Sequence, residues 1–172
     1  MRALVTAASR HEATWEIAEA IAAGLKARGI EADPRRLGEI EGLEGYDIVV
    51  LGSAIYLGRW LKQARKFAHD HARVLKGKQV WLFSSGPVEA PGGHTRHAEP
   101  ADAPELEQLT GAVEHRLFPG KLDNERLALA ERLVATAANA PDTDSRDWES
   151  VDAFAGHIAT HAAQPAPTEE AH

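Results

Sequence analysis

The sequence contains no cysteine among its 172 residues. Disulfides, thiolate metal sites and cysteine nucleophiles are therefore excluded. No apolar run approaches the ~20 residues that cross a bilayer. A strand pattern follows directly on Met1 and Arg2, without the pattern of a signal peptide. These absences predict a soluble protein of the cytoplasm.

Basic blocks and common catalytic signatures are missing as well. The 19 lysines and arginines are outnumbered by 26 acidic residues, for a net charge of −7, which argues against a nucleic-acid partner or an anionic membrane surface. No G-x-S-x-G elbow and no G-x-x-x-x-G-K-[ST] loop occurs, so neither a hydrolase triad nor a nucleoside triphosphatase is supported. The histidines at 69, 71, 94 and 97 are interpreted as solvated surface residues rather than metal ligands.

Apolar runs and helical periodicity alternate along the chain. They predict strands at 3–5, 30–33, 48–53, 79–85 and 112–118, and helices from 14 to the stop at 29 and at 60–74, 104–110, 122–139 and 146–163, with Asp144 or Ser145 capping the last. Such alternation is typical of an α/β fold with a doubly wound parallel sheet and helices on both faces. We expect one domain over residues 1–163 and a disordered tail over 164–172.

Residues 3–18 form the most informative stretch of the predicted fold. An apolar strand passes through small and polar residues into a helix, and free N–H groups at such a helix start suit an anion. Hydroxyls at Ser9 and Thr14 add donors. An ordinary strand–loop–helix connection with Thr14 as N-cap remains the alternative.

Ligands of open parallel sheets bind beyond the carboxyl ends of the strands. Here those ends lead into residues 8–14, 54–60 and 86–97, so one segment can hold phosphate while two flank a flat group. Tyr56 either contacts that group or packs, and Trp60 is favoured as core over stacking. Arg59 either meets an anionic substrate or pairs with a local carboxylate.

Three blocks resemble the flavodoxin fold family, and within it the flavodoxin-like, quinone-dependent protoporphyrinogen oxidases. They are S-R-H-E-A-T at 9–14 followed by E-I-A, G-Y-D-I-V-V-L-G-S-A-I-Y-L-G at 45–58, and R-D-W at 146–148. The resemblance implies a flavodoxin-like five-stranded sheet of order 2-1-3-4-5 with FMN at the switch point. It implies FMN-dependent electron transfer without a catalytic side chain. Small molecules, quinones or redox proteins would be the electron partners, and a homodimer stays open.

The resemblance also implies the residues that bind FMN. For the phosphate they are Ser9, Arg10, His11, Glu12, Ala13 and Thr14. For one side of the ring they are Ala54, Ile55, Tyr56, Leu57 and Gly58, and for the other Ser85, Gly86, Pro87 and Val88.

Two departures from the family pattern leave a second hypothesis open. Glu12 stands where relatives have glycine, and its carboxylate would repel a phosphate unless the side chain turns outward. Residues 120–146 contain no aromatic residue, so packing on the sheet is favoured over membrane contact. The alternative to an FMN protein is a flavodoxin-like module that has lost flavin and acts as a binding protein.

Overall fold

The computed structural model describes residues 1–86, 99–122, 143–144 and 146–164. The helices are α1 (Ala13–Ala27), α2 (Lys62–Leu75), α3 (Ala103–Thr110) and α4 (Trp148–Ala162), with a 3-10 turn at Leu37–Glu39. The strands are β1 (Arg2–Ala8), β2 (Glu31–Pro34), β3 (Ile48–Tyr56), β4 (Arg59–Trp60), β5 (Gln79–Gly86), β6 (Glu114–Pro119), β7 (Lys121–Leu122) and β8 (Thr143–Asp144). None of these helices is long and apolar enough to cross a membrane.

Five parallel strands form the main sheet in the order β2-β1-β3-β5-β6. The short strand β4 pairs antiparallel with the end of β3 and lies off this path. Without β4, the order is the predicted 2-1-3-4-5, which confirms the doubly wound fold. Chain order reverses between β1 and β3, and this is where such sheets bind ligands.

Helices cover both faces of the sheet, as predicted. On one face α1 and α4 pack over a core that includes Ile21, Trp81 and Phe154. On the other face a second core includes Val49, Trp60 and Leu82, under α2 and α3. Strands β3 and β5 carry apolar side chains on both faces because both faces are covered.

The segment at 54–60, predicted as a loop, is a β-hairpin. Strand β3 continues through Tyr56, and Arg59–Trp60 folds back so that Ile55 pairs with Trp60. Helix α2 therefore begins at Lys62 and not at Trp60. The predicted strand ended at Ser53 because the apolar run ends there. The observed strand continues because backbone pairing does not require apolar side chains.

The last helix also begins later than predicted. Helix α4 starts at Trp148, and its cap is Asp147, whose carboxylate accepts the Ser150 N–H at 3.1 Å. The prediction of Asp144 or Ser145 as cap was wrong, and Trp148 is 44% exposed rather than inward-facing. The helix predicted at 122–139 does not begin at Leu122, which lies in β7. Its remaining length, all of the segment at 86–97 except Gly86, and nearly all of the tail lie outside the described residues.

Candidate functional site

Three segments meet at the carboxyl edge of the central strands. Ala8 at the end of β1 pairs with Ser53, and Ala54 pairs with Ser85 near the end of β5. The loop at 9–12, the β3–β4 hairpin and the end of β5 therefore adjoin one another, as the sequence predicted. Of the predicted ring-binding residues, Pro87 and Val88 lie outside the described part of the chain.

The first loop turns into α1 at Glu12, which is the N-cap residue. Thr14, the N-cap in the alternative interpretation, lies in the first helical turn with 2% of its surface exposed. Glu12 has a left-handed backbone with φ of +65°, and its side chain makes no capping hydrogen bond. The Glu12 carboxylate therefore caps none of the N-terminal amides of α1, and of these the Ala13 N–H donates to the His11 carbonyl at 2.8 Å. Amides left free at a helix start suit an anion.

The Glu12 carboxylate is instead held by Arg36. The Arg36 guanidinium donates to both carboxylate oxygens, at 3.0 and 2.6 Å, and lies 4.6 Å from the centre of the Trp15 ring. The hydrogen bond to Glu12 raises the pKa of Arg36. The positive charge of Arg36 thus balances the carboxylate that the sequence placed in the phosphate loop. Sequence reasoning did not identify Arg36 as part of the site, because no local pattern links two residues that lie 24 positions apart.

The β3–β4 hairpin forms the second wall of the site. Its two turn residues, Leu57 and Gly58, both have positive φ, at +51° and +75°, as in a type I′ turn. Tyr56 is 46% exposed and Leu57 is 88% exposed. The Arg10 guanidinium lies 4.4 Å from the centre of the Tyr56 ring. This contact connects the first loop to the hairpin.

A buried polar network fixes the hairpin to the sheet. Trp60 donates its indole N–H to the Ser84 hydroxyl at 2.7 Å, and that hydroxyl lies 2.7 Å from Nε2 of His115. The His115 side chain is only 2% exposed, and this burial lowers its pKa. Because the indole only donates, the Ser84 oxygen accepts from Trp60, and its O–H can donate to a neutral imidazole. The network is consistent with Trp60 as core.

Backbone amides of the hairpin are satisfied by polar side chains beneath it. The Asp102 carboxylate accepts the Trp60 N–H at 3.2 Å, and the Ser53 hydroxyl accepts the Leu61 N–H at 2.9 Å. Both Ser53 and Asp102 are buried. Sequence reasoning did not identify Asp102, which lies 42 residues from its partner. These bonds hold the hairpin in one position.

The end of β5 approaches the hairpin too closely for any side chain at Gly86. A Cβ built at Gly86 would lie 2.3 Å from Cδ1 of Ile55. The Gly86 carbonyl accepts the Gly120 N–H at 2.9 Å, and Ser85 is 5% exposed. The Ile55 side chain therefore fills the space beside Gly86.

A metal centre is not formed by the described residues, among which no group of three or more potential ligands occurs. His69 is 52% exposed and lies 3.7 Å from Glu105. His94 and His97 lie outside the described residues.

A family model for the flavodoxin domain matches residues 4–148. The protoporphyrinogen IX dehydrogenase [quinone] of Escherichia coli K12 is 36% identical over 86 residues, which are 49% of this chain and 48% of the relative. The chain thus matches about half the length of that relative.

Solved flavodoxins share the fold. A flavodoxin from the domain Archaea superposes with a TM-score of 0.63 at 16% identity, covering 95% of this chain and all of that one. Oxidised flavodoxin 2 from Bacillus cereus superposes with a TM-score of 0.61 at 25% identity, with the same coverage.

Proposed function

The chain belongs to the flavodoxin family, and on that premise we propose that it binds FMN and works as a flavodoxin-like oxidoreductase or electron carrier. The phosphate would be held by amides of residues 9–14, other than the Ala13 amide that donates to His11, and by the hydroxyls of Ser9 and Thr14. The ring would lie between the hairpin residues 54–58 and the segment that begins with Ser85 and Gly86. FMN would supply the electron chemistry, while this chain binds and orients it.

The conformation of Glu12 is the observation that carries the proposal. Its φ of +65° is the backbone geometry that glycine adopts without strain. Arg36 holds the carboxylate with two hydrogen bonds. Glu12 therefore adopts the turn conformation that glycine would adopt, and the Arg36 guanidinium balances its negative charge. The residues present fit a phosphate at this helix start.

The reaction type is proposed from the relative. A protoporphyrinogen IX dehydrogenase [quinone] matches half of this chain, which favours a small-molecule substrate and a quinone or redox protein as electron partner. The cytoplasmic location predicted from the sequence stays a prediction.

The test is a fluorescence titration of the purified protein with FMN, with riboflavin as the matched ligand that lacks the phosphate. We expect saturable quenching of flavin fluorescence at low micromolar FMN and much weaker binding of riboflavin. Absence of quenching at millimolar FMN would contradict the proposal. Equal affinity for both flavins would contradict the assignment of the phosphate loop.

One observation favours the second candidate, a module without flavin. The Glu12 carboxylate, which is 47% exposed, keeps a negative charge beside the helix start where a phosphate would bind. In that case the carboxyl edge would meet another protein, and the titration would show no flavin binding.

A further inference from the structure

A cationic groove lies on the outer side of the β3–β4 hairpin, facing the first turn of α2. It encloses about 420 Å³ and is lined by four cationic side chains and two aromatic ones, among other residues. These six are Arg10, Arg59, Lys62, Arg65, Tyr56 and Trp60. Among the described residues no acidic one lines it, although the whole chain carries a net charge of −7. Cations are thus concentrated here against the overall charge.

The charges of two of the four cations, Arg59 and Lys62, are not balanced within the described part of the chain. Arg59 and Lys62 form no hydrogen bond or ion pair with any residue in the described ranges. Arg65 lies 3.7 Å from the Asp102 carboxylate, and its buried Nε makes no hydrogen bond with the described residues. Asp102 already accepts the Trp60 N–H. The alternative that Arg59 pairs with a local carboxylate finds no support in the described residues.

The first turn of α2 adds to the positive potential. Its N-cap, Leu61, provides no side-chain hydrogen bond, and the turn contains no acidic residue. Lys62 and Arg65 instead occupy the helix end that carries partial positive charge, where cations are unfavourable. An anion bound between these groups would relieve that repulsion.

We propose that this groove binds a small organic anion, with carboxylates on the side chains of Arg59, Lys62 and Arg65 and an apolar body against Tyr56. The aromatic wall favours such an acid over free phosphate, because Tyr56 offers ring surface that inorganic phosphate cannot use. Arg10 and Tyr56 border both this groove and the proposed flavin site. The groove therefore lies where a substrate would adjoin the ring. Its binding does not require FMN.

The test uses naphthalene-2,6-dicarboxylate as the probe and calorimetric titration of the flavin-free protein. The neutral naphthalene-2,6-dicarboxamide is the matched ligand control. The variant Arg59→Gln/Lys62→Gln removes two charges from the groove. Lys66→Gln/Arg73→Gln removes two charges from the same helix outside it, since neither residue lines the groove.

We expect the groove variant to weaken dicarboxylate binding about tenfold or more, as the loss of charge-assisted hydrogen bonds implies. The control variant should bind as the wild type does, and the diamide should bind at least tenfold more weakly. Equal weakening in both variants, or equal binding of the diamide, would overturn the proposal. Inorganic pyrophosphate binding as tightly as the dicarboxylate would overturn the assignment of an organic acid.

A second variant keeps the test valid if the double variant fails to fold. Lys62→Gln alone should weaken the probe several-fold while raising the melting temperature at low salt, because it removes a cation from the start of α2. A lower melting temperature would indicate a structural role and overturn the proposal.

FMN is titrated separately against the wild type and the groove variant. A matching loss of FMN affinity in the groove variant would assign the groove to flavin and overturn the proposal of a separate site.

Discussion

Arg36 holds the Glu12 carboxylate, and the variant Arg36→Gln would release it beside the loop proposed to bind phosphate. The two side chains are 48% and 47% exposed, so their ion pair contributes only about 0.2–1 kcal/mol to folding. Trp15 belongs to the core cluster of this face and does not depend on the guanidinium for that packing. We therefore expect Arg36→Gln to change FMN affinity more than the free energy of unfolding.

The expected loss of affinity follows from Coulomb's law. Even at the dielectric constant of water, a carboxylate about 6 Å from a phosphate with two charges is repelled by about 1.4 kcal/mol. This energy corresponds to about a tenfold increase in the Kd of FMN. Salt screens charges at this distance, with a Debye length of about 10 Å at 0.1 M. The effect of Arg36→Gln should therefore shrink as ionic strength rises.

A double-mutant cycle with Glu12→Gln distinguishes this mechanism from direct contact between Arg36 and the phosphate. The Kd of FMN is measured by fluorescence for the wild type, both single variants and the double variant, at low and high salt. If only Glu12 holds the Arg36 guanidinium near the phosphate, Arg36→Gln costs about tenfold in the wild type and little in the Glu12→Gln background, where the guanidinium has lost that partner. Equal losses in both backgrounds would refute the reasoning.

Four further predictions concern the same edge of the sheet. Glu12→Gly removes the carboxylate and the strain at φ +65°, so fluorescence titration should show tighter FMN binding. Thr14→Ala removes a buried hydroxyl and should raise the Kd of FMN about tenfold or more, since a hydrogen bond to a charged group contributes about 1.5–3 kcal/mol. Burial lowers the pKa of His115 below its ordinary 6.5, so the unfolded chain binds more protons. In chemical denaturation, the free energy of unfolding should fall as pH drops below about 6.5 and level off below the folded pKa. Leu57→Asn places a residue that tolerates positive φ in the turn before Gly58 and should raise the free energy of unfolding by about 1 kcal/mol.

Each of these predictions has a matched control. Glu12→Ala removes the charge but keeps the strain, so equal stability of the alanine and glycine variants would contradict the strain argument. Thr14→Ser keeps the hydroxyl and should retain affinity. His115→Gln should flatten the acid limb of the pH profile, whereas His69→Gln, at an exposed site, should not; a limb that survives His115→Gln would contradict the assignment. Leu57→Val should lower the stability that Leu57→Asn raises.

The fold could be predicted from local patterns because its central strands and helices carry strong ones. The apolar run at 48–51 and the helical spacing of α1 depend only on neighbouring residues. The β3–β4 hairpin was missed because its turn is Leu57-Gly58 and not the Asn-Gly pair that identifies such turns in sequence. Its position depends on pairing between Ile55 and Trp60.

The sequence predicted which segments meet at this edge of the sheet, but it did not predict the contacts that determine the charge there. The strand–turn–helix pattern located the loop at 9–14, since that pattern is local. The contact of Arg36 with Glu12 and that of Asp102 with the Trp60 amide join residues 24 and 42 positions apart. No periodicity records such contacts, and only the folded chain brings them together.

The backbone strain at this edge favours a ligand over a vestigial loop. Among the described residues, Glu12 and Leu57 are the only two other than glycine with positive φ, and both border the proposed flavin site. Such a conformation costs about 1–2 kcal/mol for each residue. The turns themselves require only the conformation, which glycine or asparagine provides at lower cost. The turn conformation alone therefore does not explain why these two side chains are present. Glu12 binds Arg36, and Leu57 presents an apolar surface that is 88% exposed. A flat ligand bound at this edge would cover the exposed apolar side chain of Leu57. We therefore expect Leu57→Asn to weaken FMN binding while it stabilises the fold.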